Sequence, residues 1–268
     1  MPKGTWSDDS SMMLITAASI VEKDKIDLTD IMDGFFRWAK SGYMTQNGKP
    51  FGIGRTTLRA LGNYWRGLPA ENCGRNFVRD NGNGSLMRIL PVALWNAFDG
   101  YTSRQGKNER VRSVSALTHS HPISCTACEI YAFIVERLIN KKKEDSIRKI
   151  LADASKIWGS NPESEVFQRI FDDNFLSLKD ESIKSSGYVV DTLETSLWGF
   201  GTTDTYSECV LKAVNLGGDT DTIAAIAGAL AGLKYEMDGI PKEWMDTIYH
   251  SEIAVQLCEK FVKLAQEC

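Results

Sequence analysis

Apolar residues recur at three- and four-residue steps along most of this chain, the spacing of helices that bury one face. The stretches 12–20, 31–38, 56–65, 86–98, 111–117, 127–139, 147–158, 193–200, 209–216 and 253–264 all follow that step. Period-two alternation of strand length is hard to find, and Val189-Val190 is too short to count. Prolines fall mostly between the helical stretches. Pro91 lies inside one and predicts a kink or a helix start there. No internal repeat or low-complexity linker breaks the pattern. The reading is an all-α fold, a single compact domain over residues 1–268, with about ten to thirteen helices.

One stretch departs from amphipathic patterning. Residues 223–233, IAAIAGALAGL, are apolar on every face. A surface helix would show a polar side, so a central helix wrapped by others is expected here. With eleven residues it falls short of the roughly 20 that cross a bilayer. The opening residues, MPKGTWSDDS, contain no apolar signal core.

Composition narrows the function classes. A chain of 268 residues with 43% hydrophobic and 25% charged content is ordinary globular protein. Its net charge of −4 argues against binding to duplex nucleic acid, which calls for a basic field. The run Lys141-Lys142-Lys143 is followed at once by Glu144-Asp145 and reads as a solvated helix junction. Cys73, Cys125, Cys128, Cys209, Cys258 and Cys268 show no dense disulfide spacing. They read as reduced thiols of a cytoplasmic protein. No membrane partner and a monomeric state are expected.

Candidate chemistry gathers at two helix mouths. Ser7, Asp8 and Asp9 precede the helical run that begins near Met12. Asp219, Asp221 and Thr222 stand just ahead of the apolar segment 223–233. Either triplet alone has a plain reading, since Ser, Thr and Asp are favoured N-caps and acids suit the positive end of a helix. A cap needs one side-chain oxygen, however, and each mouth offers three side chains. Four carboxylates and two hydroxyls are costly to cluster without a cation. They suit Mg²⁺ or Mn²⁺, hard ions that take oxygen ligands and leave positions open for water and substrate hydroxyls.

A third stretch is RDNGNGSLMRILP, residues 79–91. Gly82 and Gly84 flank Asn83, and a helix follows. Such a turn can offer backbone N–H groups to an anion, or can simply meet a need for unusual backbone angles. Asp80 beside it is a candidate acid or base.

Taken in order, Trp6-Ser7-Asp8-Asp9, Gly82-Asn83-Gly84-Ser85-Leu86-Met87-Arg88 and Gly217-Gly218-Asp219-Thr220-Asp221-Thr222 resemble the motifs of the ADP-ribosylglycohydrolase family, over nearly the whole chain. The resemblance implies an all-α fold with two Mg²⁺ or Mn²⁺ ions in a central cleft. Ser7, Asp8, Asp9, Asp219, Asp221 and Thr222 match the family's metal ligands. It implies hydrolysis of the bond between ADP-ribose and an acceptor, often an arginine of a protein or a small conjugate. Asp80, Asp9 and Asp219 are the carboxylates it implies for catalysis. Asn81, Gly82, Asn83, Gly84, Ser85 and His119 are implied on the substrate side, while Arg88 is expected to be structural. The stretch FGIGRTT, 51–57, is a further candidate cleft wall or a plain turn. Trp6, beside the ligand set, is the tryptophan expected nearest the cleft.

Family members usually carry a leading helix with a glutamate some tens of positions before the first motif. Here Trp6 stands where no such segment precedes it. Glu22, Asp191 and Glu194 are acids without an evident replacement role. That gap sustains a second reading, a domain that binds ADP-ribose without turning it over. Two others remain. Paired acids with two metals also serve phosphoryl hydrolysis. His119, His121, Cys125 and Cys128 place four zinc-type ligands within ten residues, though Cys125 and Cys128 equally read as thiols on a buried helix face.

Overall fold

The computed structural model describes residues 1–140 and 146–267. The charged run 141–145 lies outside the described residues. Among the described residues, twelve α-helices carry the fold. They are α1 (Asp8–Lys23), α2 (Leu28–Ser41), α3 (Arg55–Trp65), α4 (Leu90–Phe98), α5 (Arg104–Ala116) and α6 (Pro122–Asn140). Then follow α7 (Ile147–Trp158), α8 (Val189–Gly201), α9 (Tyr206–Val214), α10 (Thr220–Tyr235), α11 (Lys242–Thr247) and α12 (Glu252–Glu267). Two single β-bridges, Arg75 with His119 and Gly82 with Tyr188, are the only β pairing among the described residues.

Local signals explain most boundaries. Asp27 caps α2 by accepting from the Asp30 N–H, and Gly42 ends it in the left-handed region. The 86–98 stretch divides as Pro91 predicts: a 3₁₀ turn at Leu86–Arg88, then α4 with Pro91 in its first turn. Val189-Val190 opens a helix instead of a strand. The first turns of α5 are too polar to betray a buried face, but Ser103 caps them by accepting from the Gly106 N–H.

Residues 223–233 form the inner part of α10, which packs against α1, α6, α8 and α9 as expected, and α6 and α8 are buried still more completely. Every residue from Ser124 to Glu136 on α6 is buried, as is every residue from Thr192 to Phe200 on α8. On α10, Ala225 is exposed and Ala224 and Ala229 are half-buried. The physical reason lies in paired charges. Glu129 and Glu136 of α6 are neutralised by Arg112 at 2.8 Å and Arg104 at 2.7 Å. Glu194 of α8 is neutralised by Arg169 at 2.9 Å. Polar letters therefore mask the two deepest helices, while the small residues of α10 let α8 and α9 pack against it. Helix α1 lies against α2, α4 and α12, and also touches α10. That last contact brings the two acidic mouths to one place.

The described cysteines are free thiols. No helix among the described residues is long and apolar enough to cross a membrane.

Candidate active site

The capping explanation of the acidic mouths fails on geometry. Ser7 is the N-cap of α1 and Asp219 that of α10, yet neither side chain caps its helix. In α2, α5, α7 and α9 the residues Asp27, Ser103, Ser146 and Thr205 do cap, each accepting from a backbone N–H. Ser7 instead donates its hydroxyl to Asp9 Oδ2 at 2.6 Å. Asp219 Oδ2 instead accepts the side-chain amide of Asn83 at 2.7 Å.

The two mouths meet. The Thr222 hydroxyl and the Asp221 charge of α10 both act on the Asp9 carboxylate of α1, the hydroxyl lowering its pKa and the charge raising it. Burial raises Asp9, against the stabilising hydroxyls of Ser7 and Thr222. Asp8 is pushed up to about 7, first by burial, then by Asp9, with smaller contributions from Asp221 and Asp219. Among the described residues no Lys or Arg pairs with these four carboxylates. Asp9 Oδ1 is buried without a hydrogen-bond partner.

This donor set fits a hard divalent cation. It is oxygen only, net negative, without a cationic side chain, and it includes an orphaned carboxylate oxygen. Among the described residues no three His, Cys, Asp or Glu side chains are drawn tightly around one point. The hydroxyls of Ser7 and Thr222 add to the four carboxylates from outside those residue types.

Next to this set is a cleft of about 500 Å³. Asp8, Asp219, Asp221 and Thr222 line it, with Gly82, Asn83, Gly84 and His119 from the middle of the chain. Gly52, Gly54, Arg55, Thr56 and Thr57 form another wall, so the 51–57 stretch is a cleft wall. Gly52 is needed there: its φ is +85°, and a Cβ would overlap Asp8 Oδ1. Trp6 is absent from the lining; its indole N–H goes to the Met44 carbonyl at 3.1 Å and ties down the 42–50 loop.

The Asn81–Gly84 loop is pinned to the start of α8. Val189 N–H donates to the Asn81 carbonyl at 3.0 Å, and Asn83 N–H donates to the Gly187 carbonyl at 3.1 Å. Asn83 also donates to Thr192 Oγ1 at 3.0 Å, so one side chain joins the loop, α8 and the mouth of α10. Asn81 lines the cleft, but its amide is engaged by the Val78 carbonyl and His121, and its Oδ1 accepts from Ser124. At Gly84 a Cβ would stand 2.9 Å from His119 Cε1, which is why the backbone can lie against that ring.

His119 is buried, and burial followed by the Arg88 charge pushes it down to about 3. It is therefore neutral. Thr118 Oγ1 sits 2.8 Å from its Nδ1 and accepts from Arg88 Nη2 at 2.8 Å. If Thr118 donates onward to Nδ1, no hydroxyl proton is left unpaired. That arrangement puts the ring proton on Nε2, the nitrogen nearer Gly82. Arg88 is fully buried against Phe35 and lies behind the site, as expected.

Four expected site residues are absent from the cleft lining: Ser7 and Asp9, bonded to each other at the mouth of α1, and Asp80 and Ser85, which have partners elsewhere. Asp80 is buried and ion-paired with Arg75 Nε at 3.3 Å and Arg59 Nη1 at 3.6 Å; it is not part of the lining. Ser85 is fully buried and accepts from Ser115 Oγ at 2.9 Å and from Cys128 at 3.5 Å. Glu22, Asp191 and Glu194 do not line the cleft either. The zinc-type residues are dispersed: His119 faces Thr118, His121 faces Asn81, Cys125 faces backbone carbonyls and Cys128 faces Ser85. Burial raises both thiols, Cys125 to about 12. The cleft residues Arg79, Gly187 and Tyr188 had no sequence signal that set them apart.

Fold and cleft together define an all-helical protein with a polar ligand cleft closed at one end by two acidic helix mouths. The ADP-ribosylglycohydrolase family model matches residues 1–268. The chain is 31% identical over 274 residues to ADP-ribosylarginine hydrolase Tri1 of Serratia proteamaculans (strain 568), covering 98% of this chain and 69% of that protein. It is 32% identical over 245 residues to ADP-ribosyl-[dinitrogen reductase] glycohydrolase of Rhodospirillum rubrum, covering 91% of this chain and 74% of that protein. A solved structure described as an ADP-ribosylglycohydrolase-related protein complex superposes with a TM-score of 0.79 at 28% identity, covering 99% of this chain and 83% of that one. This chain belongs to the ADP-ribosylglycohydrolase family.

Proposed function

We propose that the protein is a Mg²⁺- or Mn²⁺-dependent hydrolase that releases ADP-ribose from an arginine-linked acceptor, on a protein or on a small conjugate. The observation that carries this reading is the pair of helix mouths whose N-cap side chains decline to cap and converge instead. The printed activities of the Serratia and Rhodospirillum relatives support the choice of bond and acceptor. The five free thiols among the described residues support a reducing, cytoplasmic setting.

Ser7, Asp8, Asp9, Asp219, Asp221 and Thr222 would hold two ions. Bound there, such ions supply Lewis-acid polarisation and a lowered water pKa. The remaining work falls to the chain. Asn83 fixes Asp219 through Oδ2, leaving Oδ1 free of that bond. Hydrolysis adds a water oxygen to the anomeric carbon and breaks the carbon–nitrogen bond. One proton leaves the water and one reaches the departing nitrogen. Asp219, which lines the cleft, is the carboxylate placed to take the first, while the buried Asp9 stands behind it at the mouth of α1. Neutral His119 offers a donor from Nε2 beside Gly82, and Arg55 and Arg79 bring positive charge to the cleft lining for a diphosphate. Asp80 serves as a positioning residue, because its carboxylate is committed to Arg59 and Arg75.

The test is release of free ADP-ribose from an arginine-ADP-ribosylated protein, with Mg²⁺ and with EDTA. Release that EDTA stops is the expected result. Binding of ADP-ribose without release would instead make the protein a reader, and release of phosphate or AMP would make it a phosphohydrolase.

A further inference from the structure

A second pocket, of about 330 Å³, is lined by Leu58, Arg59, Gly62, Asn63, Arg66 and Arg75. It shares no lining residue with the cleft. Three guanidiniums meet there in a chain whose net charge is −4. Asp80 is the carboxylate paired with Arg59 and Arg75, and it is buried. Arg66 contacts the Asn63 side-chain oxygen at 3.4 Å and has no carboxylate partner among the described residues. Arg59 and Arg66 are exposed, and the Arg75 side chain is 23% exposed. Three guanidiniums against one buried carboxylate leave the recess with excess positive charge. An accessible guanidinium without a carboxylate, as at Arg66, recognises oxyanions because its planar fork matches carboxylate and phosphate geometry.

The pocket and the cleft share a wall. Arg75 donates its N–H to the Thr118 carbonyl at 3.0 Å and accepts from Ser120 N–H at 2.9 Å, which ties it to both neighbours of His119. Asp80, which holds two of the arginines, immediately precedes Asn81 of the cleft. On α3, Thr57 faces the cleft while Leu58 and Arg59 face the pocket. A macromolecule with one modified residue in the cleft would bring its neighbouring residues to the pocket. A free ADP-ribosyl conjugate has nothing to place there.

We propose that the Arg59–Arg66–Arg75 pocket is a docking subsite for an acidic side chain of the protein substrate, a carboxylate or a phosphorylated residue near the modified one. It thereby favours protein-bound over free conjugates. This rests on the hydrolase reading above.

The experiment compares kcat/KM of wild type, Arg66→Ala, Arg66→Glu and Arg66→Lys on two substrates: an ADP-ribosylated protein with acidic residues beside the modified arginine, and free ADP-ribosyl-arginine. Arg66→Ala should cost about tenfold on the protein, Arg66→Glu more, and Arg66→Lys less. All three should stay within about twofold of wild type on the free conjugate. The wild-type rate on the protein should fall with added salt, and this dependence should flatten in Arg66→Glu. Equal losses on both substrates, or no loss on the protein, would overturn the proposal. Failure of wild type on the free conjugate would count against the hydrolase reading alone. In that case a labelled oligoglutamate peptide, followed by fluorescence anisotropy at low salt, still reports on the pocket. It should bind wild type and not Arg66→Glu, and equal binding to both would overturn the proposal.

Discussion

Asn83 donates its side-chain amide to Asp219 at 2.7 Å, across 136 positions of sequence. This one bond ties the glycine-flanked loop to the mouth of α10. It also fixes which carboxylate oxygen of Asp219 remains for other partners. On the proposed reading Asp219 is a metal ligand, and a group that orients such a ligand typically contributes about 10–100-fold in metal affinity. Asn83→Ala should therefore lower Mg²⁺ affinity and turnover by about that factor while leaving helix content unchanged by circular dichroism. Unchanged Mg²⁺ dependence would mean that Asp219 needs no such support.

Gly52 stands against Asp8 with φ at +85° and no room for a Cβ. Gly52→Ala should displace the Asp8 carboxylate and cost about 1–3 kcal/mol in denaturant unfolding, with activity lost beyond what the stability change explains. A variant as stable and active as wild type would show that the close approach is not required.

Asp80 separates a positioning role from a catalytic one. Its carboxylate faces Arg75 and Arg59, whose side chains are 23% and 47% exposed, so the loss is partly screened. Asp80→Asn should destabilise by about 1–3 kcal/mol and shift KM more than kcat. A stable protein with kcat reduced by orders of magnitude would instead return Asp80 to the chemistry.

His119 carries a pH prediction. Its folded pKa, about 3, lies below the ordinary 6.5, so the unfolded chain takes up a proton that the folded one refuses. Its contribution to stability is complete above the ordinary value and is lost as pH falls toward the folded one. That amounts to about 2 kcal/mol between neutrality and about pH 5. Arg88, acting through Thr118, is the charged group behind the ring. Asp8, raised to about 7, contributes in the opposite direction. The difference between wild type and His119→Gln in urea unfolding isolates the histidine. It should shrink by that amount on acidification, and a constant difference would show that the ring is already protonated or exposed.

The helical pattern was legible because most helices bury one face, and caps and prolines mark their ends. The depth order of the helices was not legible. Glu129, Glu136 and Glu194 read as surface letters, yet they are buried because arginines from α5 and from the 159–188 connection neutralise them. The two acidic mouths stood out locally, since each offered more oxygens than a cap uses. Their meeting, and the bond from Asn83 to Asp219, depend on how α1, α10 and the loop pack, which no local pattern encodes. Asp80 and Ser85 flank the same loop as Asn83, but Asp80 turns to Arg59 and Arg75 while Ser85 turns to Ser115 and Cys128. Spacing along a motif does not reveal those directions.

The central claim is that the two mouths form one shared cation site. Calorimetric titration of Mg²⁺ or Mn²⁺ into wild type, Asp9→Ala and Asp219→Ala tests it most directly. Wild type should bind two ions, and either substitution, on α1 or on α10, should weaken binding contributed by both mouths while helix content is kept. Independent binding, in which altering one mouth leaves the other's ion unaffected, or no binding by wild type, would contradict it.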